Sequence, residues 1–227
     1  TQSPVLRTAE SRTSVPGESG QTHGSGSLVM LFGLCALSVL FTVPQMQASS
    51  TLLLWTRDNT NRRLLGWELP VPYVASLHAG LVLAVSPLLA RALLHVKTTP
   101  GLPTAAAKIA LGMFATGLAF VPLLVAAVLL PDGSLAGLGW LLACLSLLSV
   151  GELLVGALGP SFVLRIAPAT RGGRWLGVWY GATAVGFWLA GQVGGLWDRV
   201  PHSLFFLGIA VAPMLGLLLI RYALRLW

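Results

Sequence analysis

Glu152 is the residue that most asks for a chemical role. It sits in "VGELLVGALGPSFVLRIAP", residues 150 to 168, an apolar stretch whose next charge is Arg165. A carboxylate near the centre of a membrane helix costs roughly 2.5 to 3.5 kcal/mol on insertion scales, so such a group marks a function and calls for a partner. Other polar residues at comparable depth are few. The first apolar run carries Thr42, Gln45, Gln47, Ser49, Ser50 and Thr51, and the second Ser76, His78 and Ser86. The fourth run adds Ser146 and Ser149 beside Glu152, and the fifth Trp179, Thr183 and Gln192. A substrate path would use these residues. No Lys or Arg is central in any run, so within this sequence a protonated His78 is the one cation on offer to Glu152. The carboxyl must otherwise stay protonated, bind a cation, or pair with a group supplied from outside these 227 residues.

The elements that position these groups follow from composition. With 55% of residues hydrophobic and 9% charged, the chain is too apolar for a soluble domain. Runs long enough to cross about 30 Å of hydrocarbon at about 1.5 Å per residue recur near 27–55, 74–97, 104–130, 135–165, 173–197 and 202–226. These runs lack the alternation of a membrane barrel, and helices satisfy their own backbone groups in lipid. The expectation is an all-α membrane protein with six transmembrane helices over residues 27–227. Residues 1–26 are rich in Ser, Thr, Gly and Pro, without the apolar core of a signal peptide, and read as a flexible linker or tail. The sequence starts at Thr rather than Met, as a piece of something longer would.

Several classes of function find no footing. No serine–histidine–carboxylate spacing, glycine-rich phosphate loop or metal-ligand cluster is present, so no enzyme, cofactor or metal is expected. Cys35 and Cys144 both fall in apolar runs and read as buried thiols rather than a disulfide. The net charge of +7 has a topological reading, and no basic face with aromatics suggests nucleic acid. Arg91, Lys97 and Lys108 lie between the second and third helices, Arg165, Arg171 and Arg174 between the fourth and fifth, and Arg221 and Arg225 at the end of the sixth. The opposite loops hold Asp132, then Asp198 with Arg199, and a mixture of Arg57, Arg62 and Arg63 with Asp58 and Glu68. The positive-inside bias places the first group, and both termini, in the cytoplasm.

Two features bear on how the helices meet. The fifth carries Gly173, Gly177 and Gly181 at four-residue steps, then the small stripe Ala182, Gly186, Ala190 and Gly194. Such stripes let helix backbones approach closely, whether fixed or sliding. Pro44, Pro87, Pro122, Pro160 and Pro213 fall within or near the helices, where kinks or broken turns are expected. Freed backbone groups at such breaks line cavities in transporters, and kinks also occur in inert bundles.

Two stretches resemble a known family. "QASSTLLLWTRDNTNRRLLGWELPVPYVASLHAGLVLAVSPLLA" is similar to helices seven and eight of the proton-dependent oligopeptide transporters, with their Gln-Ala-Gly-Ser-Ser, Arg-Asn-Thr-Asp-Arg-like loop and Gly-Trp-Glu-Ile-Pro patterns. "GELLVGALGPSFVLRIAPATRGGRWLGVWYGATAVGFWLAG" resembles helices ten and eleven of the same family. The order and separation agree, and the resemblance covers roughly residues 30 to 227. It implies the major facilitator fold, twelve helices in two six-helix halves around a central cavity, with this chain as the carboxy-terminal half.

The resemblance also implies site residues. Glu152 matches the helix-ten glutamate that faces the cavity and engages the peptide or a basic residue of the other half. Gln47, Trp179 and Thr183 match a helix-seven glutamine, a helix-eleven tryptophan and a small hydroxyl residue one turn later. Departures accompany these matches. Met46 stands in place of the usual helix-seven carboxylate, Thr42 of an aromatic, His78 of an asparagine that contacts substrate, and Gly156 of a serine. Substrate binding is thus expected of Glu152, Gln47, His78, Trp179 and Thr183. Proton coupling falls to Glu152 and to His78, whose ordinary pKa near 6.5 lets it titrate in the physiological range; the alternative is that His78 is a passive hydrogen-bonding substitute.

The implied function is proton-coupled symport of di- or tripeptides, or related small solutes, across the inner (plasma) membrane. Its implied partners are the solute, protons, membrane lipid and the amino-terminal six-helix half. The loss of a carboxylate at Met46 favours an alternative, a non-transporting or coupling-deficient scaffold or sensor, whereas Glu152, Gln47 and Trp179 favour transport. A third reading is a complete six-helix protein that dimerises.

Overall fold

The computed structural model describes residues 25–64, 66–95, 102–130 and 134–226. The expected tail 1–26 lies outside these, apart from Ser25 and Gly26, which already belong to the first helix. Lys97 and Asp132, used to orient the loops, lie outside them as well. So does the side chain of Arg225.

Each of the six apolar runs is helical over most of its described length, and three contain a break. Helix α1 (Ser25–Met46) passes through a 3₁₀ turn, Gln47–Ser49, into α2 (Thr51–Asn59). Helix α3 (Tyr73–His95) is continuous. Helix α4 (Leu102–Ala119) gives way at Phe120 to α5 (Val121–Leu129). Helix α6 (Leu138–Gly151) continues through one π-helical turn, Glu152–Gly156, into α7 (Ala157–Ile166). Helices α8 (Gly172–Gly194) and α9 (His202–Leu226) complete the bundle.

Proline accounts for where the breaks fall. Pro44 precedes the 3₁₀ turn, Pro122 opens α5, and Pro160 follows the π turn. The ring nitrogen of Pro160 cannot donate to the Gly156 carbonyl, and the π turn ends on that residue. Pro87 and Pro213 lie inside α3 and α9, which run on unbroken with a single backbone bond missing at each.

Among the described residues, five of the six helical runs are long and apolar enough to cross a membrane: Leu28–Asn59, Tyr73–Leu93, Thr104–Leu129, Leu138–Ile166 and His202–Arg221. Helix α8 is equally continuous at 23 residues, but its glycines, Arg174 and Gln192 dilute its apolar content. The expected fifth span is therefore a helix of lower hydropathy than its neighbours.

Two apolar clusters hold the bundle. Leu52, Trp55, Phe120, Leu145 and Phe206 form one, where α2, α5, α6 and α9 meet. Leu31, Met113, Val155, Phe162 and Trp179 form the other, between α1, α4, α7 and α8. Helix α4 crosses the π turn so closely that a Cβ on Gly112 would stand 2.7 Å from Val155 Cγ2 and 2.8 Å from Leu154 Cβ. That approach requires glycine. Helix α3 is the least integrated: 6% of its apolar window is buried, against 61% for the first span. Cys35 and Cys144 are buried and unbonded.

The small stripe of α8 divides in two. Gly186 packs against α1, where a Cβ would come 2.7 Å from Thr42 Cβ, and Ala190 is buried beside it. Gly173, Gly177 and Gly181 face open space. The expected close helix contact is thus made by the second half of the stripe.

The loop after α2 is more ordered than an irregular connection. Thr60–Asn61 (β1) pairs in parallel with Ala136–Gly137 (β4), and Arg63–Leu64 (β2) pairs antiparallel with Trp67–Glu68 (β3). Gly66, at φ +85°, turns the hairpin with a backbone that side chains rarely adopt. Arg62 braces it, bonding Glu68 at 2.7 Å and the Leu69 carbonyl at 3.0 Å.

Candidate functional site

Glu152 opens the π turn, and its side chain remains 46% exposed although it lies in the middle of a helical run. It enters a hollow of about 290 Å³ walled by the end of α1, by α3 and by α8. Thr42, Gln45, Met46 and Ser49 come from the first run, His78 from α3, and Thr183 and Phe187 from α8. A second hollow of about 480 Å³ adjoins it across Met46, Ser49 and Phe187, and is lined by Ser50, Thr51, Gly191 and Gly194. The two together run along the groove between the first run and α8.

Among the described residues, two groups reach the carboxylate, both at Oε2. The Gln45 amide Nε2 donates to it at 3.0 Å. His78 Nε2 stands 3.6 Å away, beyond a hydrogen bond and within ion-pair reach when the ring carries a proton. That nitrogen is buried and makes no hydrogen bond. A single mobile proton therefore decides whether the His78–Glu152 contact is a charge pair or an unfilled approach.

Thr183 joins the hollow with its hydroxyl already engaged. It donates to the Trp179 carbonyl at 3.0 Å, so at 2.7 Å the Ser38 hydroxyl is the donor between the two. Thr42 lines the same wall with its hydroxyl bonded to the Ser38 carbonyl at 2.8 Å. Met46 lines the same hollow.

Gln47 and Trp179 lie elsewhere. Gln47 is fully buried: its Nε2 donates to the carbonyls of Val43 (3.1 Å) and Ala190 (3.3 Å), and its Oε1 accepts from Ser50 (3.1 Å) and Thr51 (2.9 Å). It joins α1 to α8 across the 3₁₀ turn. Trp179 packs into the α7–α8 contact, where a Cβ on Gly159 would meet its ring at 2.5 and 2.6 Å. The structure thus brings together Glu152, His78 and Thr183, and leaves Gln47 and Trp179 in the packing behind them.

Gln45 is the neighbour that sequence reasoning did not single out. The signal was in the spacing. At about 100° per helical residue, positions 42, 45, 46 and 49 share one face, and position 47 points well away from it. The phase of the first run alone separates Gln45 from Gln47.

Comparison with known proteins agrees with this outline. Residues 20–211 match the POT family, PTR2. Dipeptide and tripeptide permease A of Erwinia pyrifoliae is 31% identical over 177 residues, covering 78% of this chain and 35% of the permease. The uncharacterized transporter YclF of Bacillus subtilis is 26% identical, over 81% of this chain and 37% of its own. Among solved structures, a mutant of peptide transporter POT in complex with alafosfalin superposes with a TM-score of 0.76 at 24% identity, over 92% of this chain and 43% of that one. A POT family transporter in complex with 5-aminolevulinic acid superposes with the same TM-score at 19% identity. The chain thus spans well under half the length of these relatives. A match over most of the sequence, on a bundle of long apolar helices, makes the chain a multi-pass membrane protein of the POT family.

Proposed function

We propose that this chain is the carboxy-terminal half of a proton-coupled symporter for di- or tripeptides or related small solutes, in the inner membrane with both termini in the cytoplasm. The observation that carries the reading is Glu152, half-exposed in a hollow built by three separate helical runs, with His78 at 3.6 Å. In this account Glu152 meets the solute's ammonium group, and Glu152 with His78 holds the coupling proton. Thr183 shapes the same wall, and Gln47 and Trp179 serve binding indirectly by fixing α8 against α1 and α7.

The amino-terminal six helices would cover the faces this half leaves open. Those are the unburied side of α3 and the open glycine face of α8 at Gly173, Gly177 and Gly181. Helix α8 would then cross the membrane as the sixth span, its modest hydropathy explained by protein rather than lipid on that side. Permease names and peptide-like ligands among the relatives support the substrate class. The test is uptake of a labelled dipeptide by the complete reading frame, reconstituted in vesicles with an imposed pH gradient. Accumulation driven by inward protons supports the reading.

The second reading, a coupling-deficient or non-transporting relative, is favoured by Met46 in the cavity wall. It predicts dipeptide binding or exchange without proton-driven accumulation.

A further inference from the structure

We propose that Gln45 is a positioning residue for Glu152 that serves both protonation states of the carboxyl by turning its amide. The inference rests on the reading of Glu152 as a proton-binding group. Gln45 is 6% exposed, and its Nε2 donates to Glu152 Oε2 at 3.0 Å. The other end of the same amide, Oε1, is buried and has no hydrogen-bond partner. An ionised carboxylate only accepts, and the Nε2 end suits it. A protonated carboxyl must donate, and the idle Oε1 is the acceptor it then needs.

Half a turn about the terminal torsion of the glutamine exchanges the two ends, and that torsion is broad and two-fold. One amide end is paired and one unpaired before and after, so the turn adds no new orphan. The proton enters from the water-accessible hollow onto Oε2 and leaves by the same route, and no other bond is made or broken. His78 Nε2 can accept from a protonated carboxyl when the ring is neutral. It stands 3.6 Å off, however, beyond a hydrogen bond, whereas the Gln45 amide is already in bonding range at 3.0 Å.

Other charges stand too far off to set this equilibrium. Helices α3, α4, α6 and α7 pack against the π turn. Besides His78, their described charged side chains are Arg91 on α3, Lys108 on α4 and Arg165 on α7. Gly151 meets Gly112 and Thr116 across the α4–α6 crossing, so Glu152 lies level with the region of Thr116. At about 1.5 Å per residue, Lys108 is about 12 Å away along the axis, and Arg165 and Arg91 are about 20 Å from Glu152 and His78 along theirs.

Difference infrared spectroscopy tests this without any solute. The complete protein in lipid, with its glutamine side chains isotope-labelled, is compared between an acid and a neutral pH. Acid is expected to raise a protonated-carboxyl band together with a shifted glutamine amide band. Glu152→Gln should remove the amide band and lower the carboxyl band by the share of one group. Gln45→Met should remove the amide band and move the carboxyl band to the position of a more weakly bonded acid. Gln45→Glu places a second carboxyl beside the first, and the titration midpoint should rise by about one unit or more. A Gln45→Met carboxyl band identical to wild type, or a Gln45→Glu midpoint unmoved, overturns the role of Gln45 while leaving Glu152 as the proton site. A carboxyl band of undiminished intensity in Glu152→Gln overturns both.

Discussion

His78 Nε2 and Glu152 Oε2 stand 3.6 Å apart although 74 positions separate the residues in sequence, with the histidine on α3 and the glutamate on the first residue of the π turn. A π turn widens the helix by one residue and rotates its amino-terminal segment against its carboxy-terminal one, which is why such turns gather at functional positions.

The first prediction concerns coupling. In the complete protein, His78→Asn should lower proton-driven dipeptide uptake several-fold and leave counterflow exchange of bound dipeptide largely intact, because exchange need not move net protons. Uptake and counterflow measured on one vesicle preparation separate these. Equal loss of both would make His78 a solute contact rather than a coupling group.

Packing supplies the second. Gly159→Ala would drive a Cβ to 2.5 Å from the Trp179 ring, and Gly186→Ala would drive one to 2.7 Å from Thr42 Cβ. Overpacking of this kind destabilises by about 1–3 kcal/mol. Both variants should melt earlier in detergent, measured by fluorescence-detected gel filtration. Gly177→Ala has nothing within 4 Å and should melt with the parent chain.

The open face of α8 gives a third. Gly177→Leu should leave this chain's own stability unchanged when it is expressed alone, yet should weaken the complete protein if the amino-terminal helices pack against that face. Expressed alone, the chain should also associate or degrade more readily than the complete protein. A monodisperse, long-lived monomer would count against the half-transporter account.

Much of this architecture was legible in the sequence. The apolar runs and their prolines placed the helices and three of their breaks, because both signals are local. Glu152 and His78 were identifiable as a pair because so few ionisable groups lie at depth. Gln47 and Trp179 have the polarity of cavity residues and turn out to be packing joints, since their burial depends on Ala190 and Gly159 in helices far away in sequence. The glycine stripe of α8 shows the same limit. Its composition promises close contact, but which half makes it depends on where α1 lies. The hairpin at Gly66 escaped notice because two-residue strands carry no usable periodicity.

The central claim is that Glu152 meets the solute's ammonium group in the hollow, and dialanine affinity of the complete protein tests it most directly. A charge-assisted hydrogen bond contributes about 1.5–3 kcal/mol, so Glu152→Gln should weaken dialanine binding by about tenfold or more. The comparison is made at one pH, on protein matched to wild type in yield and melting temperature. Weakening of that size, with no change for a control solute lacking the amino group, is the result the account predicts. Dialanine affinity equal to wild type in Glu152→Gln would contradict it.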